Sequence, residues 1–391
     1  MDDKEIFALK SDSDSPLEED QFDLEIPREV IKVVGVGGAG GNALNTIINS
    51  GVSDVDFIAT NTDVAALRLS QAPTRVILGR NLTKGRGAGA DPAKGHDAAQ
   101  ESEEELTQLL TGSDMVFITC GMGGGTGTGA APVIAEIAKE KINALVVAIV
   151  TFPFEWEGLA RTERAVDGIA KLRDKVDALV IVKNDRIIEL SDKSTTCTEA
   201  FKMSDEVLRQ AVVGVTGVIR KVLTINVDFA DVCTTLRDAG TAIMGVGEAK
   251  GEGRVVAAAR AAMNGPLMTS PMKGATSVLY CIESGEDLSV LEMNEALKLI
   301  HASAAENANI FWGQGIDPAM GDAVRFTLIA TGFKDEMPMP GEPNKGASAS
   351  GGAFEKPSLT PGDVVSGESH NIFDGLGAGL DIPTAYRRRR K

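Results

Sequence analysis

Met115-Val116-Phe117-Ile118-Thr119-Cys120-Gly121-Met122-Gly123-Gly124-Gly125-Thr126-Gly127-Thr128-Gly129 is the stretch on which the fold turns. A mostly apolar run of strand length leads into a loop, and a helical pattern follows. Between Gly123 and Gly129 lie five glycines and two threonines. A plain turn needs one or two glycines, and each further one costs chain entropy, so this density predicts a close approach of backbone to a ligand. Amides and hydroxyls crowded at the start of a helix suit a polyphosphate. Pro132 is expected near the first turn of that helix, where a missing N–H costs little. No Gly-x-x-x-x-Gly-Lys-Ser/Thr sequence occurs, which excludes the ordinary P-loop.

Two further loops extend the pattern. Gly35-Val36-Gly37-Gly38-Ala39-Gly40-Gly41-Asn42 follows an apolar run and opens a helix. Taken alone, its Gly-x-Gly-x-x-Gly spacing equally fits a dinucleotide site, with Asp54, Asp56 and Asp63 near the distance of a ribose-binding acid. An NAD-dependent oxidoreductase is therefore open at this point, although it leaves Gly123 to Gly129 unexplained. Lys84-Gly85-Arg86-Gly87-Ala88-Gly89-Ala90-Asp91 offers more amides for the terminal phosphate.

Around these loops the apolar runs are continuous: Val30 to Val36, Phe57 to Thr60, Val76 to Leu78, Met115 to Cys120, Leu145 to Thr151 and Leu179 to Val182. Unbroken hydrophobicity at strand length predicts strands covered on both faces, as in a parallel sheet with crossover helices. A helical pattern from about Glu199 to Leu223 is long enough to act as a spine. Beyond it, strand-like runs at Ala242 to Val246, Ser277 to Ile282 and Val324 to Ala330 are separated by helical stretches near Arg254 to Met263 and Leu288 to Asn307. The expected organisation is an acidic disordered leader (1–28), a nucleotide-binding domain (29–198), a central helix (199–225), an α+β domain (226–334), a flexible linker (335–378) and a terminal peptide with a basic end (379–391).

The 391 residues carry 39 basic and 56 acidic side chains, a net charge of -17 that argues against nucleic acid as a partner. Cys120, Cys197, Cys233 and Cys281 are too scattered for a zinc site or disulfide framework, so reduced and mostly buried thiols are expected. His96, His301 and His370 do not stand beside a candidate nucleophile. Neither a signal-peptide core nor an apolar stretch near the ~20 residues of a membrane span is present, so a cytoplasmic protein without membrane insertion is expected.

Gly123 to Gly129, Gly37 to Asn42, Asn61-Thr62-Asp63, Gly87 to Ala90 and Asn226-Val227-Asp228-Phe229-Ala230-Asp231 together resemble the FtsZ family, the bacterial cell-division GTPases related to tubulin. The resemblance runs from about Val30 to Phe333 and resumes at the terminal peptide. It implies a tubulin-like, Rossmann-like α/β fold that binds GTP and GDP, with Mg2+. Gly38, Ala39, Gly40, Gly41, Asn42, Gly125, Thr126 and Gly127 would hold the phosphates. Glu157 and Arg161 would reach the ribose and phosphates, Asn184 and Asp205 would hydrogen-bond guanine, and Phe201 would stack on it. Asn226, Asp228 and Asp231 would act on the nucleotide of the next subunit in a head-to-tail filament. That filament would form the division ring on the inner face of the membrane. Asp381-Ile382-Pro383-Thr384-Ala385-Tyr386-Arg387 would dock membrane-tethering and regulatory partners. A relative that binds nucleotide without hydrolysing it is the third reading.

Overall fold

The structure is a computed structural model that describes residues 29–220, 225, 227–268 and 270–333. The expected leader, linker and terminal peptide, Asn226, and positions 221–224 of the central helix lie outside the described residues.

Ten strands form one sheet: β1 (Ile31–Val36), β2 (Asp56–Asn61), β3 (Thr74–Ile77), β4 (Met115–Gly121), β5 (Leu145–Phe152), β6 (Ala178–Lys183), β7 (Gly240–Lys250), β8 (Ser277–Ser284), β9 (Asn309–Ile316) and β10 (Ala323–Thr331). Their spatial order is β3-β2-β1-β4-β5-β6-β7-β10-β8-β9. Pairing is parallel from β3 through β6, and β7 joins β6 in parallel over only Ala178 to Val180. β10 then runs antiparallel to both β7 and β8, and β9 lies parallel to β8.

The helices of eight or more residues are α1 (Gly37–Asn49), α2 (Pro92–Glu101), α3 (Glu103–Leu110), α4 (Thr126–Glu136), α5 (Leu159–Arg173), α6 (Cys197–Arg220), α7 (Phe229–Leu236), α8 (Arg254–Asn264) and α9 (Val290–Ser303). They account for the unbroken apolar strands. Val33, Phe117 and Val147 face α1 and α6, packing on Leu44, Ile47, Leu208 and Val212. Their chain neighbours Val34, Val116 and Val146 face the other way, onto Leu106, Ile134, Ile169 and Leu172 of α3, α4 and α5. A side-chain period of two combined with helices on both faces makes every position apolar. A third cluster around Tyr280, Phe326, Ala258 and Ile300 fills the space between the antiparallel strands and α8 and α9.

Several boundaries differ from the expectation. Pro132 is the seventh residue of α4, not a first-turn residue, because Thr126 to Gly129 are themselves helical. Its ring removes one intrahelical hydrogen bond inside the helix. The first glycine cluster is likewise drawn into its helix, which begins at Gly37. The stretch near Leu288 to Asn307 narrows to α9, stopped at its front by Ser289, whose hydroxyl accepts from Leu291 N–H. Strand β9 and helices α2, α3 and α7 are additions to the expected elements, α7 taking in Phe229 to Asp231 of an expected loop; the glycines Gly313 and Gly315 obscure β9, whose half-buried residues follow no clean alternation. Of the cysteines, Cys120 and Cys281 are buried, Cys233 is partly covered and Cys197 is exposed.

Candidate functional site

The glycine loops leave the carboxyl ends of β1 and β4, the edge of a parallel sheet where ligands usually bind. Their glycines divide into two groups. A Cβ on Gly40 would stand 2.4 Å from the Thr119 carbonyl oxygen, and one on Gly35 would stand 2.6 Å from the Gly40 carbonyl oxygen. Those positions bring α1 down onto β1 and β4. Gly127 and Gly129 do the same for α4, since a Cβ would meet Gly121 O at 2.7 Å and Pro92 O at 2.0 Å respectively. Gly38, Gly41 and Gly124 by contrast face open space. Only part of the glycine density therefore serves a ligand; the rest packs helices.

Amides remain available at the second loop. The first intrahelical bond of α4 is Gly129 N–H to Gly125 O at 3.0 Å, which leaves the first-turn amides without helical partners. Gly123 N–H is already committed to Thr128 Oγ1 at 2.9 Å. The Thr126 hydroxyl lies 2.6 Å from that of Thr62, which ties the loop after β2 to the cradle. Gly125 is covered by the third loop: a Cβ there would lie 2.8 Å from Ala88 Cβ and 2.9 Å from Asp91 N.

A hollow opens beside this cradle. Ala39, Asn42, Glu157, Arg161, Asn184, Phe201 and Asp205 line it, together with Met122, Thr151, Pro153 and Ser204. A second hollow, sharing Asn42, runs along Gly38 and Gly41 toward Asn61 and Leu69. Seven of the expected side chains and backbones thus meet in one place, although they come from α1, α6 and the segments after β5 and β6. Gly40 and Gly127 belong instead to the packing beneath it.

Contacts within the hollow order its polar groups. Glu157 accepts Phe154 N–H at 3.0 Å and forms an ion pair with Arg161 at 3.0 Å, one helical turn away. Asn184 Oδ1 accepts the Ser204 hydroxyl at 2.8 Å. Phe201 stands edge-on to Phe154 at 5.5 Å and to Trp156 at 5.8 Å, with 40% of its own surface exposed. Burial pushes the Asp205 carboxyl up to about 7, so its capacity to accept hydrogen bonds changes across the neutral pH range. Ser204 and Trp156 join the site without a motif to mark them. Helical spacing from Phe201 would have found Ser204 three residues on, whereas only the tertiary fold brings Trp156 to Phe201.

Asp228 and Asp231 are not in either hollow. Asp228 precedes α7, exposed and without a side-chain capping bond, and Asp231 lies in its first turn. Helix α6 leads away from the hollow, and from Asp205 to Arg220 it rises about 22 Å. Beyond it, α7 ends at the opposite edge of the parallel strands. Asp238 N–H there donates to Asp177 Oδ1 at 3.3 Å, and Asp177 Oδ2 accepts Val146 N–H at the beginning of β5. Cradle and carboxylates are held apart by the length of the helix. Asn226 lies outside the described residues. Among the described residues no group of three or more His, Cys, Asp or Glu is placed to hold a metal, and no helix is long and apolar enough to cross a membrane.

Comparison with known proteins agrees with this fold. Residues 30–192 match the tubulin/FtsZ family, GTPase domain, and residues 240–334 match the FtsZ family, C-terminal domain. An empty FtsZ dimer from M. jannaschii superposes with a TM-score of 0.74 at 39% identity, covering 82% of this chain and 96% of that one. A point mutant of M. jannaschii FtsZ gives 0.74 at 42% identity, covering 78% and 92%. A GTPγS-bound protofilament of CetZ2 from Haloferax volcanii shares the fold with a TM-score of 0.68 at 21% identity, covering 77% and 92%.

Proposed function

Given that the chain belongs to the tubulin/FtsZ family, we propose that it is the filament subunit of a bacterial cell-division ring, in which each subunit completes the active site of its neighbour. The family assigns it GTP binding, GTP hydrolysis and assembly into protofilaments. The guanine edge lies against Asp205 and Asn184 with Phe201 stacked on the base, Glu157 and Arg161 reach the ribose and phosphates, and Gly38 to Asn42 with Gly125 to Gly127 form the phosphate cradle. A carboxylate accepts from the N1–H and 2-amino group that share one edge of guanine, whereas adenine has no N1–H and carries its amino group at C6.

The observation that carries the shared site is the separation of Asp228 and Asp231 from the cradle of their own chain. Two carboxylates beside a triphosphate in a resting site would be repelled by it. Placed at the far end of the molecule, they meet a nucleotide only when a second copy stacks along the axis of α6. There they orient and polarise the attacking water, Asn226 being a further member of the catalytic set by family resemblance, and positioning of this kind is the main demand of phosphoryl transfer. A head-to-tail contact does not close on itself and gives filaments.

Mg2+ belongs to the same reading as a companion of the nucleotide: among the described residues no carboxylate cluster is placed to hold it, so its ligands would come mainly from phosphates and water, and its charge would offset that of the terminal phosphates. The terminal segment Asp381 to Arg387 is the docking peptide for membrane-tethering and regulatory partners, which holds the filament at the division site. The domain division at 198, 225 and 334 is part of the same reading.

The test is turnover per subunit as a function of protein concentration, read beside sedimentation with GTP, GDP and no nucleotide. Turnover per subunit should rise above a threshold that coincides with pelletable filaments. Constant turnover at all concentrations would refute the shared site, and an unchanged hydrolysis rate in Asp228→Ala would rule out its catalytic role.

A further inference from the structure

The helix that opens on the phosphate cradle does not end in α geometry. After Glu136 it widens into a π turn over Ile137–Lys141, a rare form often found where function is built. That turn carries Lys139 to the opposite edge of the sheet, where its ammonium meets three oxygens. Asp238 Oδ1 lies at 2.8 Å, Asp177 Oδ1 at 3.0 Å and the Val176 carbonyl at 3.2 Å.

Each partner belongs to a different part of the frame. Asp177 is 3% exposed and stands just before β6, and it also accepts Val146 N–H and Asp238 N–H. A buried carboxylate in that position needs a cation, and Lys139 supplies it. Asp238 follows the last turn of α7, which closes with Arg237 N–H on Cys233 O at 2.8 Å. Its φ is +51°, a left-handed conformation that aspartate tolerates better than most residues and that turns the chain sharply after the helix. The Lys139 ammonium also holds the Asp238 carboxyl below the usual range. Lys139 thus fastens the carboxyl end of α7 to the root of the parallel sheet.

We propose that Lys139 is a positioning residue for hydrolysis: through Asp177 and Asp238 it fixes the tilt of α7, and with it the placement of Asp228 and Asp231 on the neighbouring subunit's nucleotide. The inference rests on the shared-site reading. Helix α7 has eight residues and is therefore about 12 Å long, so a tilt of about 5° at one end moves the other by about 1 Å. A displacement of that size is enough to cost roughly a hundredfold in a reaction that depends on positioning. Lys139 touches no nucleotide group in its own chain, since it lies at the other end of the helix from the cradle.

A direction along the filament separates this role from a general loss of structure. In the first arm, a trace of wild-type subunits preloaded with γ-labelled GTP is assembled in excess Lys139→Met subunits, and label release is followed for a single turnover. In the second, a trace of preloaded Lys139→Met subunits is assembled in excess wild type. Co-sedimentation of the trace verifies incorporation, and Lys139→Arg serves as the conservative rescue. Release in the first arm is expected to fall by at least about tenfold while the second stays at the wild-type rate, with GDP affinity unchanged and partial recovery in Lys139→Arg. Equal rates in the two arms, whether both normal or both slow, would overturn the proposal. Asp228→Asn run in the same two arms tests the premise separately. If it shows the one-sided loss and Lys139→Met does not, Lys139 has no positioning role; if it shows none, the shared site itself fails.

Discussion

Asp205 makes nucleotide affinity a function of pH in a way that can be calculated. Its carboxyl titrates at about 7 in the free protein because burial disfavours the charge. In the proposed site guanine would present two N–H donors to it, so the complex would need the carboxylate, and a protonated carboxyl would point its own O–H at a donor. A proton and guanine therefore compete. The apparent Kd for GDP should scale as one plus the protonated-to-ionised ratio, a factor of about 1.1 at pH 8, about 2 at pH 7 and about 11 at pH 6. Between pH 8 and pH 6 that is about tenfold, or ~1.4 kcal/mol. GDP is the ligand to use because, as the product, it is not hydrolysed during the titration, and Trp156, packed on Phe201, is a natural fluorescence reporter. The terminal phosphate of GDP titrates near pH ~6 as well, so the comparison must be made with Asp205→Asn. That variant should bind roughly 10- to 100-fold more weakly at pH 8, from loss of charge-assisted hydrogen bonds of about 1.5–3 kcal/mol, and should lack the tenfold component. An equal pH slope in wild type and Asp205→Asn would refute the reasoning.

The same burial predicts a stability effect. The folded carboxyl titrates above its ordinary value of 3.8, so ionising it costs stability as pH rises from about 4 to about 7; nucleotide-free Asp205→Asn should melt roughly 5 °C higher than wild type at pH 8 and no higher at pH 4. Gly129→Ala should destabilise the protein by about 2 kcal/mol or more in denaturant titrations, since its methyl group would sit 2.0 Å from Pro92 O. Gly38→Ala should leave the midpoint within about 0.5 kcal/mol, because nothing lies within 4 Å of the new methyl, yet weaken GDP binding by intruding on the phosphate path. Phe201→Ala should raise the GDP Kd by roughly tenfold through lost stacking, measured in the same titration at pH 8.

The sheet was legible because its strands are covered on both faces, and a continuous run such as Leu145 to Phe152 leaves no polar face to turn toward water. Strand β9 was not legible: Asn309 to Ile316 interrupts its apolar residues with Gly313 and Gly315 and owes its strand form to pairing with β8. The glycine loops announced a backbone approached closely by something, but not by what. Gly38 and Gly41 are open while Gly40 between them is jammed against Thr119 O, and Gly124 is open while Gly127 and Gly129 are jammed against neighbouring backbone, so both kinds occur in each short motif. A missing side chain reads identically whether a phosphate or a helix fills the space.

Hydrophobic periodicity and glycine content alone announce a parallel α/β sheet with glycine-rich loops at one edge, because both are local properties that need no partner to be expressed. The family resemblance supplied the roles of Glu157, Asn184, Phe201 and Asp205. Only the tertiary structure brought those four into one hollow, raised the Asp205 carboxyl by burying it, and set Asp228 and Asp231 beyond the far end of α6 with Lys139 anchoring the helix behind them. Distance and burial depend on how separate segments pack, and that information is spread over the whole chain.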